Sequence, residues 1–229
     1  MNNEYMVYNR LSDREEKADR IKKILEEELQ GKDGWGLKLN QAKVLDIGTG
    51  SGQIAYYLSG YVKEVISVDI QDIRTKKEGY KFIIIREKKL PFKENNFDII
   101  ISNQLIEHLP NQKNHIREMW RVLKPNGIVY FTTPNKYYIT EPHSEKLFGT
   151  LSKKLMNKYK VKLLSYWDIE ELSRDYFKIK DYTQKMFLFP KYYRIPEYYG
   201  VKRHLAKYIP KRLIKYVTPT FVMILNVRK

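Results

Sequence analysis

The chain contains no cysteine, which removes disulfides, thiol nucleophiles and thiolate metal sites together. Histidine is scarce, with four residues, and no grouping of His, Asp and Glu falls at metal-ligand spacing. The sequence therefore predicts chemistry without a metal ion. No apolar run approaches the length of a bilayer span, and Met1-Asn-Asn-Glu-Tyr5 lacks the basic-then-apolar pattern of a secretory leader. These absences predict a soluble, cytoplasmic protein with no transmembrane segment. Internal repeats and low-complexity tracts are also missing, and 229 residues suit one domain spanning residues 1–229.

Acidic residues are short in one part of the chain only. Residues 136–229 carry 21 basic against 8 acidic side chains, whereas residues 1–135 carry 22 against 19. Most of the net charge of +16 thus belongs to the C-terminal part. A lysine-biased surface would raise both halves, so the asymmetry is informative. Tyrosine is abundant at 19 residues and alternates there with cations, as in Lys191-Tyr-Tyr-Arg194 and Lys211-Arg-Leu-Ile-Lys-Tyr216. Such a mixture suits stacking on sugar or base faces while phosphates are held. It equally suits a helix lying on an anionic membrane surface, or a packed insertion whose lysines are merely solvated.

What stands out in the first half is Lys43-Val-Leu-Asp-Ile-Gly-Thr-Gly-Ser-Gly52. Val44, Leu45 and Ile47 read as a short buried strand, the three glycines as a tight turn, and Gln53–Leu58 as a helix opening on it. That context offers free backbone N–H groups to a nucleotide-like ligand. Gln53 stands where a dinucleotide fingerprint has its third glycine, and Asp46 would repel a pyrophosphate while suiting a cationic amino group. A second strand, Val65-Ile-Ser-Val-Asp69, ends in an acid 21 residues after Gly48, where a ribose-binding carboxylate is expected.

These features resemble the first motifs of the class I S-adenosylmethionine-dependent methyltransferases. Leu90-Pro-Phe92, Phe97-Asp98, Glu107-His108-Leu-Pro110, Glu118-Met-Trp-Arg121, Leu123-Lys-Pro-Asn-Gly127 and Phe131-Thr-Thr-Pro-Asn135 resemble later landmarks of their type 11 branch, in one collinear order. The resemblance implies an α/β, Rossmann-like, doubly wound sheet of seven mostly parallel strands, the last antiparallel, with helical insertions after strands five and six. Strands are expected near Lys43–Ile47, Val65–Val68, Phe82–Ile85, Ile99–Ser102 and Ile128–Thr132, separated by helical stretches, with a helix over Asn111–Leu123. A sixth strand is expected within Phe177–Leu188, and a seventh at Thr220–Val227 beside the fifth. An amphipathic helix after the capping-box pattern Ser12-Asp-Arg-Glu15 would lie beside the sheet and could close over the cofactor. Residues 136–166 and 190–219 are left as substrate-side insertions.

The implied cofactor is S-adenosyl-L-methionine. Gly48, Thr49 and Gly50 would approach its methionine part, Asp46 its ammonium, Asp69 its ribose and Ile70 its adenine. Where the family carries Asp-Ala before Leu90-Pro-Phe92, this chain has Arg86-Glu87. Arginine cannot accept the adenine amino hydrogens, so Glu87 or backbone groups would take that contact. Asn103 at the end of the fourth strand would touch the methionine part or simply cap the strand. His108 stands where relatives hold a histidine near the transferring methyl, or is a hydrogen-bonded junction residue. His143, in Glu141-Pro-His143 beyond the fifth strand, is the other candidate base. His115 and His204 read as surface residues. The function implied is O-methylation of a small metabolite, glycan precursor or lipid-linked sugar. The alternative is an RNA methyltransferase holding nucleic acid with the basic C-terminal part, though Ser102-Asn-Gln-Leu105 lacks the Pro-Pro tetrapeptide of amino-methylating enzymes. A non-enzymatic partner subunit is disfavoured by the intact Asp46, glycines and Asp69.

Overall fold

The computed structural model describes residues 11–30, 36–86, 89–137, 161–188, 210, 213, 215, 216, 218 and 220–229. Seven strands are formed: β1 (Lys43–Ile47), β2 (Glu64–Asp69), β3 (Lys81–Ile84), β4 (Phe97–Asn103), β5 (Leu123–Pro134), β6 (Phe177–Asp181) and β7 (Thr220–Val227). They make one sheet in the order β3-β2-β1-β4-β5-β7-β6, in which β7 runs antiparallel to both of its neighbours. The chain starts at β1, winds outward through β2 and β3, then restarts at β4 on the other side of β1. A crevice therefore opens at the carboxyl ends of β1 and β4, where doubly wound sheets bind ligands.

Alternation along each strand divides the core in two. Val44, Val65, Ile99, Ile101, Tyr130 and Ile224 face α1 (Leu11–Gln30) and α2 (Gln53–Ser59). Leu45, Val68, Ile100, Val129, Phe131 and Met223 face α3 (Gln112–Val122) and α4 (Tyr166–Ser173). From α1, the buried Ala18, Ile21, Ile24, Leu25 and Leu29 form one stripe, each large side chain contributing about 1.5–3 kcal/mol of burial. A short helix, α5 (Thr183–Leu188), follows β6.

Four expectations need correction. The first helix is already running at Leu11, so Ser12 lies inside it instead of capping it. No helix joins β2 to β3: Gln71–Gly79 offers a single apolar side chain, Ile73, and so has no stripe to bury. That connection is pinned by polar contacts, with Thr75 N donating to Ser51 O (2.9 Å), Arg74 paired with Asp72 and the Tyr80 hydroxyl donating to Lys76 O. In consequence β3 is an exposed edge rather than a strand covered on both faces. The fifth strand begins at Leu123, directly after α3, because Leu123 pairs with Phe97 ahead of an irregularity in the β4–β5 register. The proposed insertions, 136–166 and 190–219, lie mostly outside the described residues.

Candidate active site

The glycine turn joins β1 to α2 through three left-handed residues, Gly48 (φ 74°), Gly50 (φ 55°) and Gly52 (φ 76°). Gly48 N–H donates to Val68 O (2.8 Å), locking the turn onto β2. A Cβ on Gly48 would come within 2.8 Å of Leu105 Cδ1, so the absence of a side chain lets the segment after β4 settle onto the turn. A Cβ on Gly50 would meet nothing within 4 Å, so this side of the turn opens on free space.

Three carboxylates lie at or just beyond the carboxyl ends of β1, β2 and β4. Asp69 ends β2 and accepts from Gly50 N–H (2.9 Å) through Oδ2 and from Ile70 N–H (2.7 Å) through Oδ1. Each oxygen keeps a lone pair for a further donor. Asp46 is buried on β1, with Ser67 Oγ donating to it at 3.4 Å. Burial raises its pKa to about 6; the Thr49 and Ser67 hydroxyls oppose the rise, and the nearby charge of Asp69 adds to it. The Thr49 hydroxyl lies beside Asp46 without a well-formed hydrogen bond. Among the described residues no cation pairs with Asp46. Gln53 Oε1, at the start of α2, is buried without a partner. Next to Asp69, Ile70 is 74% exposed, with Ile73 and Ile84 also exposed, giving an apolar shelf at the β2–β3 end.

The third carboxylate is Glu107, in a single 3-10 turn formed by Ile106–His108 after β4. Its side chain is buried, with 1% exposure, and Thr133 Oγ1 at the end of β5 donates to Oε2 (3.2 Å). Its other oxygen, Oε1, is buried with no partner. Backbone bonds hold the turn: Lys162 N–H donates to Glu107 O (2.7 Å), and Gln112 Nε2 donates to Ile106 O (3.2 Å) and Lys162 O (3.0 Å). Burial raises the Glu107 pKa to about 7, against the opposing effects of its own backbone, Thr133 and Lys17. Lys17 of α1 is lowered to about 7 by burial first, then by Arg14 and Arg20, while Glu107 opposes that shift. The two feel each other's charge without a direct ion pair. α1 thus brings cationic side chains to the same edge of the sheet.

Of the remaining candidates, Asn103 is half-buried at the end of β4, and its Oδ1 accepts from Thr132 Oγ1 (3.0 Å). His108 is exposed at the end of the 3-10 turn, with its pKa lowered by partial desolvation. Glu87, His143 and His204 lie outside the described residues. His115 corrects its surface assignment: it is buried in α3, hydrogen-bonded to Ser102 Oγ (2.9 Å), and burial lowers its pKa to about 4. It fastens α3 to β4 as a neutral imidazole. Glu107, passed over in favour of its neighbour His108, could have been noticed as an acid in an apolar turn with no cation nearby in sequence.

The methyltransferase domain model matches residues 45–131. A protein of Mycolicibacterium smegmatis named a probable S-adenosylmethionine-dependent methyltransferase is 31% identical over 98 residues, covering 41% of this chain and 38% of that protein. The mitochondrial ubiquinone biosynthesis O-methyltransferase of Bos taurus is 27% identical over 135 residues, covering 52% and 36%. The match therefore spans little more than a third of these relatives' own length. Among solved structures, the YcgJ protein of Bacillus subtilis has a TM-score of 0.55 at 20% identity, covering 84% of this chain and 94% of that one. Phosphoethanolamine N-methyltransferase 2 of Haemonchus contortus, in complex with phosphomonomethylethanolamine and S-adenosylhomocysteine, has a TM-score of 0.57 at 16% identity, covering 93% and 56%. These two share the fold. Glycine turn, strand-end acids and sheet order agree with the matched model: residues 45–131 are similar to the type 11 S-adenosylmethionine-dependent methyltransferase domain.

Proposed function

We propose that the chain methylates a hydroxyl oxygen of a small metabolite, a glycan precursor or a lipid-linked sugar, using S-adenosylmethionine. The observation that carries the oxygen acceptor is Glu107, a buried carboxylate with one unpartnered oxygen and a pKa near 7 at the crevice edge. A high-pKa hydroxyl needs a group to receive its proton, and a base poised near the working pH does this best.

The residues at the glycine turn fit the cofactor. Gly50 leaves free space, Gln53 Oε1 is an orphaned buried acceptor, and Asp46 is a buried carboxylate suited to a cation. Asp46 would face the ammonium, with Gly48, Thr49, Gly50 and Asn103 along the methionine part. Asp69 would take the ribose hydroxyls on its remaining lone pairs, and Ile70 would lie against the adenine. Bound there, the cofactor supplies an electrophilic methyl on a sulfonium that leaves readily. The chain's own residues then align the acceptor, exclude water and manage its proton. Thr133 holds one oxygen of Glu107 so that the other is free to accept the hydroxyl proton, and Lys17 favours the ionised form. His108, neutral at pH 7 and open to solvent, is a second proton acceptor. His143 is a third candidate, from the Glu-Pro-His motif.

The test joins calorimetry to a labelled methyl-transfer screen. S-adenosylhomocysteine should bind, and Asp69→Ala should weaken it about 10²–10⁴-fold through two lost charge-assisted hydrogen bonds. Label should appear on catechols, sugar nucleotides or quinone precursors. Label found in transfer RNA alone would move the function to nucleic acid, and failure of the native chain to bind the cofactor would sink the whole reading.

A further inference from the structure

Asn135, one residue beyond β5, is buried and ties three segments together. Its Oδ1 accepts from Tyr137 N–H (3.0 Å), and its Nδ2 donates to Lys215 O (2.9 Å) and Thr218 O (2.9 Å). It also bridges to Leu164, ahead of α4, while Lys136 N–H donates to Leu164 O (3.0 Å). The node gathers aromatic rings from all three segments: Trp167 and Tyr216 at 5.4 Å between centroids, Tyr137 and Tyr216 at 5.7 Å, Tyr137 and Trp167 at 6.4 Å. Each of these rings is 43–45% exposed, as is Leu213. Lys215 Nζ sits 3.3 Å from the Tyr166 ring centroid and 5.8 Å from that of Trp167. Of the acids here, Asp168 is engaged with Ser165 and with Lys136 at 3.7 Å, while burial raises the Tyr166 pKa and the nearby charges of Asp181 and Glu170 add to the rise.

We propose that this face docks the protein on the surface of a bilayer containing anionic lipids. Tryptophan and tyrosine with an apolar body and a polar tip, an exposed leucine two residues before Lys215, and the Lys215 cation beside the rings make the composition that sits at the lipid headgroup level. Anionic lipid complements the charge, because residues 136–229 hold 21 basic and 8 acidic side chains. Single-stranded nucleic acid fits less well. The three rings are tilted against one another by 39°, 47° and 67°, so their faces meet each other instead of forming a stacking platform. The placement carries a consequence for the acceptor. Thr133, which holds Glu107, lies two residues before Asn135, so docking brings the crevice mouth to the lipid surface. Among the substrate classes proposed above, this selects the lipid-linked acceptor, and that step alone rests on the methyltransferase reading.

The full chain should co-sediment with phosphatidylcholine vesicles containing about 30% phosphatidylglycerol and not with phosphatidylcholine alone. The binding should weaken at least about ten-fold as salt rises from about 0.05 to 0.5 M. The double variant Trp167→Ala, Tyr216→Ala should lose about ten-fold or more in vesicle affinity, with calorimetric affinity for S-adenosylhomocysteine unchanged. Should that variant fail to fold, Lys215→Glu, at a partly exposed site, makes the same measurement with a loss of roughly ten-fold. Equal binding to both vesicle types, no binding to either, or variants that bind as the native chain does would overturn the proposal. So would retention of transfer RNA at 0.15 M salt that these same substitutions abolish while vesicles stay unbound. Vesicle failure with intact cofactor binding removes the docking face only; cofactor failure with intact vesicle binding removes the methyltransferase reading only.

Discussion

Glu107 and Asp46 are acids kept where water would be the better host, and their raised pKa values make that cost measurable. The folded pKa of Glu107, about 7, lies above the ordinary 4.5. Between those values the folded chain keeps a proton that the unfolded chain has released, so the contribution to stability is full below about pH 4.5 and is lost as pH rises through 7. Asp46, at about 6 against 3.8, loses its contribution over a lower window. His115 runs the other way: its pKa of about 4 against 6.5 means that stability falls as pH drops through that interval. We therefore expect Glu107→Gln to equal the native chain in urea unfolding at pH 4 and to exceed it by on the order of 3 kcal/mol at pH 8. An equal loss at both pH values would make Glu107 an ordinary packing residue. The places of Asp46, the three glycines and Asp69 were legible in the sequence because they follow from distance to a strand end, which spacing encodes. Glu107 and His115 were not, because what matters about them is a partner on another element: Lys17 near the start of the chain, Thr133 on β5, Ser102 on β4.

At the level of elements, several motif residues that mark the family turn out to hold segments together. Arg121 pairs with Glu118 (2.7 Å) and donates to Phe92 O (2.7 Å) and Leu90 O (3.0 Å), while Leu90 N–H donates to Glu118 (2.9 Å). The Leu90-Pro-Phe92 loop is thereby clamped onto α3. Asp98 does similar work, accepting from Lys43 N–H (2.8 Å) at the start of β1 and pairing with Lys124 (2.8 Å) at the start of β5. Replacing Arg121 by alanine strands a buried Glu118 and two carbonyls, and should cost about 3 kcal/mol in chemical denaturation. Lysine should not restore it, since one ammonium cannot reproduce the fork. A loss under about 1 kcal/mol would show that the clamp is solvated and dispensable. β1 was readable to the residue from its unbroken apolar run, and the family resemblance placed β7 to the residue. The β2–β3 connection was not: a helical stretch was expected there, and Gln71–Gly79 has only Ile73 to bury.

Across the whole molecule, the sheet order leaves β1 and β4 side by side as the seam between two outward-wound halves. The glycine turn belongs to one half, and the 105–108 segment that presses on it belongs to the other; Leu105 makes the contact. A ligand seated on the turn would bridge β1 and the end of β2, with Leu105 of the other half packed against Gly48, so its binding should resist unfolding of the fold as a unit. At a concentration of 100 times its Kd, a ligand specific for the folded state adds about 2.7 kcal/mol. For a chain of 229 residues that corresponds to a rise in Tm of about 5–10 °C. S-adenosylhomocysteine should produce that rise, and Asp69→Ala should largely remove it. NAD should produce none at equal concentration. Its pyrophosphate would bring negative charge toward the buried Asp46, and Gln53 stands in place of the glycine that would let a helix start approach it. The same sheet serves both kinds of nucleotide in other proteins, so the choice rests on these two side chains. Stabilisation by NAD and not by S-adenosylhomocysteine would mean that Asp46 is held protonated by its burial, and that the turn accepts phosphate after all.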